Sequence, residues 1–178
     1  MNTFFTADTH FGHTNILKYC NRPFKSVDEM DEALIRNWNV KVKPEDIVYH
    51  LGDFSFGPAK KYADRLNGTI NFIRGNHDKP LEVYLREEKK LYSHIKDVAA
   101  IFVDKQQFFL SHYAHRVWPK SHRGTWHLYG HSHGTLPDDP NSLSFDCGVD
   151  CHNYEPISFE EVAKIMAKKT FKSKDHHK

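Results

Sequence analysis

Five short polar clusters in this chain carry side chains able to hold metal ions: Asp8-Thr9-His10, Gly52-Asp53, Gly75-Asn76-His77-Asp78, Ser111-His112 and Gly130-His131-Ser132-His133. They mix carboxylate and amide oxygens with imidazole and contain no cysteine. Such a donor set suits Mn, Fe, Zn, Ni or Co at a catalytic site rather than the thiolate-rich, closed set of a structural zinc. Taken singly, each is ordinary, because the chain has 14 histidines and most histidines are surface or hydrogen-bonded groups. Together they supply too many ligands for one catalytic ion that keeps an open position. Two divalent ions sharing a carboxylate, roughly 3.5–4 Å apart, can clamp the attacking and leaving oxygens of a displacement at phosphorus. The chemistry expected is hydrolysis of a phosphate ester.

The elements that must position these clusters can be read around them. Residues 3–7, 47–51, 69–73, 108–111 and 126–129 are short runs rich in β-formers, and each cluster follows one of them. Ligand sites form where the carboxyl ends of strands converge, and glycine beside a ligand lets the backbone turn sharply there. Ser26 to Glu29 has a capping-box pattern, and Val27, Met30, Leu34 and Trp38 then mark one helical face. Pro58 opens a helix to about residue 66, stopped by Asn67-Gly68; Ser158 to Glu161 repeats the capping pattern before Phe159, Val162, Ala163 and Met166. Between Asp78 and His112 the chain reads as one helix and two strands, the second hairpin strand entered through a polar turn at 104–106. A further strand is expected at 143–147, and the final KKTFKSKDHHK is expected to be frayed and solvated. Alternation early and hairpins later predict an α/β or α+β fold with a mixed sheet.

The bulk numbers exclude several classes. With 178 residues, one catalytic domain over 1–170 and a polar tail at 171–178 are expected, large enough for a core without disulfides. Three cysteines (Cys20, Cys147, Cys151), an odd number without a CxxC pair, argue against a disulfide framework and for a reducing cytoplasm. Cys147 and Cys151 are expected to be buried small hydrophobes. A net charge of +2 gives no polycation surface, and Lys120-Ser121-His122-Arg123 reads as an exposed loop. No signal peptide and no bilayer-spanning run are seen, so no membrane partner is expected, nor is an obligate protein partner evident.

The order D-x-H, G-D, G-N-H-D, H, G-H-x-H, filled here from Asp8 to His133, resembles the signature of the calcineurin-like metallophosphoesterase superfamily. The opening ADTHFGHTNILKYCNRPF is similar to a group of small single-domain bacterial and phage phosphoesterases. The resemblance implies an α/β (α+β) metallophosphoesterase sandwich, with two facing mixed β-sheets flanked by helices and a dimetal site at the strand ends. It implies that Asp8, His10 and His133 hold one divalent ion, that Asn76, His112 and His131 hold the other, and that Asp53 bridges them. Manganese is the first choice, with iron, zinc, nickel and cobalt as alternatives. A hydroxide bridging the ions would attack in line. His77 would stand at the leaving oxygen to stabilise charge and donate a proton. Asp78 would orient that imidazole, or else simply cap a turn.

Departures from the family narrow the substrate. Gly52-Asp53-Phe54-Ser55-Phe56-Gly57 lacks the second aspartate and the arginine of G-D-x-V-D-R-G, which disfavours a phosphoprotein phosphatase; Arg74 is read as structural. A small phosphodiester, of nucleotide type or a nucleic-acid end, is therefore the expected substrate. Candidate substrate residues are His13 and Asn15 after the first cluster, and Tyr113, His115, Arg116 and Trp118 after His112. Arg116 could clamp a phosphate oxygen, and Tyr113 or Trp118 could stack on a base. The plain alternatives are loop packing for the aromatics and solvation for Arg116. Two rival functions remain: a phosphomonoesterase, which would gain from Arg116, and a metal-free scaffold, disfavoured because every ligand position and His77 are intact.

Overall fold

A computed structural model describes residues 1–88 and 95–175. The first sheet contains β1 (Thr3–Thr6), β2 (Ile47–His50), β3 (Thr69–Ile73), β4 (Ile95–Lys96) and β9 (Ile157–Ser158), in the order β4-β3-β2-β1-β9. The second contains β5 (Val98–Val103), β6 (Gln106–Ser111), β7 (Trp126–Tyr129) and β8 (Ser144–Asp146), in the order β5-β6-β7-β8. Both sheets are mixed. β1 to β4 run parallel with β9 antiparallel to β1, while β6, β7 and β8 run parallel with β5 antiparallel to β6. Helices α1 (Ile16–Tyr19), α2 (Val27–Lys41), α3 (Lys60–Ala63), α4 (Lys79–Glu87) and α5 (Phe159–Met166) flank them. This is the two-sheet sandwich the resemblance implied.

The period-two alternation of β1 and β2 explains how a single strand serves two cores. Phe4 and Val48 face one way and pack with Met30, Leu34 and Trp38 of α2. Phe5 and Leu51 face the other way and pack with Phe108, Leu110 and Leu128 of the second sheet and Val162 of α5. The rings of Phe5 and Phe108 stack across the gap at 5.0 Å. α5 carries the full capping box, the Ser158 hydroxyl accepting from Glu161 N–H and the Glu161 carboxylate accepting from Ser158 N–H. At α2 the box is shifted: Ser26 accepts from Glu29 N–H, but the Glu29 carboxylate accepts from Lys25 N–H.

Three expectations are corrected. The helix after Pro58 is regular only over Lys60–Ala63, because Arg65 and Leu66 bond back to Tyr62 and Ala63, three residues earlier, rather than four. β6 begins at Gln106, because Asp104 (φ 45°) and Lys105 (φ 70°) form a tight two-residue hairpin turn of the kind that matches strand twist. The terminal stretch is not frayed where described: Thr170 and Lys172 N–H donate to the carbonyls of Pro140 and Asn141, and the Lys169 ammonium to that of Ser144. Residues 176–178 of the expected tail lie outside the described residues. Among the described residues no helix is long and apolar enough to cross a membrane.

What the topology does for function is to bring the carboxyl ends of β1, β2, β3, β6, β7 and β8 to one edge. There the following loops are sewn together: Asp8 N–H to Gly52 O at 2.9 Å, His10 N–H to Asp53 O at 3.0 Å, and Gly130 N–H to His112 O at 3.0 Å. Val149 N–H to Ala7 O, 3.0 Å, ties the end of β8 to that of β1 and so joins the two sheets.

Candidate dimetal site at the strand ends

The loops at this edge are strained. Asp8 (φ 58°), His10 (φ 49°), Asp53 (φ 59°), His131 (φ 68°) and His133 (φ 47°) all occupy the left-handed region. Each such residue costs on the order of 1–3 kcal/mol and persists only where its surroundings hold it. Here the sewn backbone holds it, and glycine makes room. A Cβ on Gly130 would lie 2.6 Å from Asp8 Oδ2, and one on Gly52 2.5 Å from His112 Nδ1.

Within the five clusters two groups of donors result, and a third, of Cys20, His133 and Asp150, shares His133 with the first. Asp8, His10 and His133 each offer a ligand atom, all within 4.8 Å of one another, and Asp53, His112 and His131 do the same. Asp8 is fully buried; its Oδ2 accepts from His131 N–H at 2.8 Å, while Oδ1 has no partner among the described residues. Both ring nitrogens of buried His10 are likewise unpaired among the described residues. Buried polar atoms left without partners are costly and need an explanation; a cation held between them supplies one. In the second group, His112 Nδ1 faces the Leu51 carbonyl at 2.8 Å and must donate to it, so the lone pair of the neutral ring is on Nε2. That nitrogen faces Asn76 Oδ1 at 3.1 Å and Asp53 Oδ2 at 3.6 Å, acceptors turned toward an acceptor. Asp53 Oδ2 is also 3.5 Å from His10 Nε2. One carboxylate oxygen therefore stands between both groups, and the residues fit two ions sharing it.

The electrostatics of these side chains point the same way. Burial pushes the Asp8 carboxyl well above its usual range and pulls the His10 imidazole well below its own. At His133, burial opposes the charge, but the hydrogen bonds with Asp150 and Cys20 outweigh it and raise the ring to about 10. A dication among these groups would favour the ionised carboxylate and the neutral imidazoles.

Asp150 and Arg22 were not anticipated. Asp150 Oδ2 accepts from His133 Nδ1 at 2.7 Å, turning Nε2 toward the site. Arg22, whose side chain is fully buried, grips both Asp150 oxygens at 2.8 Å and donates to the carbonyls of Asp8 (2.6 Å) and Thr9 (3.0 Å). Arg22 lies within the opening segment ending NRPF, but neither its spacing nor that of Asp150 marks a role. Asp78 proves to be a loop tie: its carboxylate accepts from the N–H groups of Asp53, Phe54 and Gly75 at 2.7–3.0 Å. Both oxygens are engaged by backbone, so its described contacts bind the second and third clusters together rather than orient His77. The His77 ring is exposed on the rim, 5.8 Å from the ring of His10.

A cleft of about 620 Å³ opens over these groups. Of the expected substrate residues, His13 and Asn15 line it. Tyr113 is not among its lining residues, though its hydroxyl donates to one of them, at Asn76 Oδ1, 3.2 Å away. Arg116 does not line it; the chain after His112 turns away, and Arg116 borders a separate groove with His115 and Leu136. Trp118 is buried and donates to Thr125 O at 2.9 Å, the packing alternative. Cys147 is buried as expected, but Cys151 is exposed. Arg74 is structural, paired with Glu82 and Asp97. Phe56 and Tyr19, which the sequence reading passed over, both line the cleft.

The chain belongs to the calcineurin-like phosphoesterase superfamily, whose domain model matches residues 1–145. It is 37% identical over 172 residues to an uncharacterised protein of Methanocaldococcus jannaschii, covering 91% of this chain and 89% of that one. It is 28% identical over 165 residues to the Gene 66 protein of Mycobacterium phage L5, covering 76% of this chain and 79% of that one. Its fold is similar to that of a protein of unknown function from Aquifex aeolicus, with a TM-score of 0.70 and 25% identity over 92% of this chain and 98% of the other.

Proposed function

We propose that this protein is a metal-dependent phosphodiesterase acting on a small, nucleotide-type diester or a nucleic-acid end. The observation that carries the reading is the placement of Asp53 Oδ2 at 3.5 and 3.6 Å from histidines of two separate donor groups. Asp8, His10 and His133 would hold one divalent ion, Asn76, His112 and His131 the other, with Asp53 shared; manganese fits the hard, mixed O/N donors. Bound there, the ions would supply a water of lowered pKa and neutralise charge on the phosphate.

The chain's own groups prepare and complete the reaction. Asp150 and the Leu51 carbonyl fix the tautomers of His133 and His112, so that each presents a lone pair inward. Water adds to phosphorus as the bond to the leaving alcohol breaks. His77, on the rim, delivers the proton the departing oxygen needs, leaving a monoester and an alcohol. The diester preference rests on charge: among the described residues none that lines the cleft is Arg or Lys, and Arg116 borders a different groove. A dianionic monoester would find no cationic side chain lining the cleft itself; Lys79 lines only the adjoining depression beyond His77. The free cysteines fit a reducing, cytoplasmic setting.

The test is to strip the protein with chelator and assay bis-p-nitrophenyl phosphate and p-nitrophenyl phosphate with and without Mn²⁺. Hydrolysis restored by metal and faster on the diester supports the reading. Equal turnover without metal, or a clear monoester preference, would sink it.

A further inference from the structure

The cleft has an aromatic wall, and it lies on one side of the donor groups. The ring of Phe56 lies flat on that of His13, centroids 3.7 Å apart and planes 13° apart. Tyr19 stands edge-on to His13 at 6.2 Å. Phe56 is 42% exposed and Tyr19 72% exposed, and both border the cleft. Phe56 differs in this from Phe54, two residues earlier, which is 0% exposed. Position matters as much as exposure. The Phe56 ring is 4.8 Å from that of His77 and 5.9 Å from that of His10, so it borders both the rim histidine and a donor group. It also borders an adjoining depression with His77, Lys79 and Pro80, which extends the wall past His77.

We propose that Phe56, backed by His13, is the platform on which the leaving group's planar ring stacks, so that the substrate is a diester whose departing alcohol belongs to a nucleoside. This rests on the phosphodiesterase reading and on His77 standing at the leaving oxygen. With that orientation, a ring in contact with His77 meets the departing half of the substrate. An exposed aromatic face backed by a second ring gives a base a rigid surface and tolerates any base, because every base has a π face. The aromatic role the sequence suggested for Tyr113 or Trp118 thus passes to Phe56, since Trp118 is buried and Tyr113, though exposed, does not line the cleft.

The experiment compares a dinucleoside monophosphate with the same diester lacking the base on its departing sugar, in Mn²⁺-loaded protein. The wild type should prefer the base-bearing diester in kcat/KM by roughly 5- to 150-fold, the range of one base–aromatic stack. In Phe56→Leu that ratio should fall toward one, and in Phe56→Trp it should persist. Calorimetry with a nucleoside monophosphate against the matching sugar phosphate should show the same pattern in affinity. Parity of the two diesters in the wild type, or a preference unchanged in Phe56→Leu, overturns the platform while leaving the diesterase standing. Turnover of neither diester overturns the diesterase reading, and the platform with it.

Discussion

The backbone N–H of His77 donates to Asp53 Oδ1 at 2.9 Å. The carboxylate that stands between the two donor groups is thus held by the very residue whose imidazole is proposed as the acid, and any shift of one moves the other. Removing the His77 ring leaves this backbone bond intact. His77→Ala should therefore keep its metal content, measured by elemental analysis, while kcat on alkyl diesters falls by roughly 10²–10⁴. On nitrophenyl esters, whose leaving group departs without a proton, the loss should be far smaller. Equal losses on both kinds of ester would remove His77 from the proton-transfer role.

Asp53→Asn tests the shared oxygen itself. Asparagine tolerates the left-handed backbone that Asp53 occupies (φ 59°) and can still accept from His77, so the fold should survive. The negative charge between His10 and His112 is gone, however. Bound metal should drop below two ions per chain, and kcat should fall by at least about 10²–10³. An Asp53→Asn preparation with full metal content and wild-type turnover would rule out the bridge.

Much of this site could be read in the sequence, for a physical reason. β1, β2, β3 and β7 are short apolar runs broken by polar or glycine residues, so each cluster and the strand that carries it announce each other. What could not be read lacks a local pattern. β4 and β9 are two residues long and exist only by pairing with a neighbour. Arg22 and Asp150 meet across 128 residues of sequence. Arg116 looked like a site residue because it follows His112 closely, but adjacency along the chain says nothing about where a loop turns. Phe56 carries no local signal, because a lone phenylalanine between Ser55 and Gly57 looks like any loop aromatic.

Metal uptake should release protons. In the chelated protein, burial opposes but Asp150 and Cys20 sustain the charge on His133, raising it from 6.5 to about 10. A raised histidine contributes stability that is fully present below pH 6.5 and is lost as pH rises through about 10. A metal ligand must be neutral, so binding at about pH 8 must displace that proton, and affinity should climb with pH by up to roughly tenfold per unit. Calorimetry in buffers of different ionisation enthalpy measures the release. Uptake with no proton released would mean that His133 is not displaced from its charged pair and does not bind the ion.

Arg22 and Asp150 allow a sharper separation between orientation and folding. Arg22 is fully buried against Asp150 and two carbonyls of the first cluster. Arg22→Met would leave the buried Asp150 carboxylate with His133 as its remaining charged partner and the Asp8 and Thr9 carbonyls without their donor, and breaking such a buried pair costs about 3–5 kcal/mol. In a domain of this size that lowers the melting temperature by roughly 6–20 °C, at about 2–4 °C per kcal/mol. Asp150→Asn leaves the buried Arg22 without its carboxylate and so also lowers stability, but its carbonyl oxygen can still accept from His133; what the ring loses is the charge that raises its basicity as a ligand. Metal affinity should fall by about 10–100-fold, as when the partner of a ligating histidine is lost. Direct titration with Mn²⁺ and thermal unfolding of the chelated variants separate the two effects. If Asp150→Asn binds metal as tightly as the wild type, then the charge of Asp150 does not tune His133 as a ligand, and the Arg22–Asp150 pair serves the fold rather than the ion.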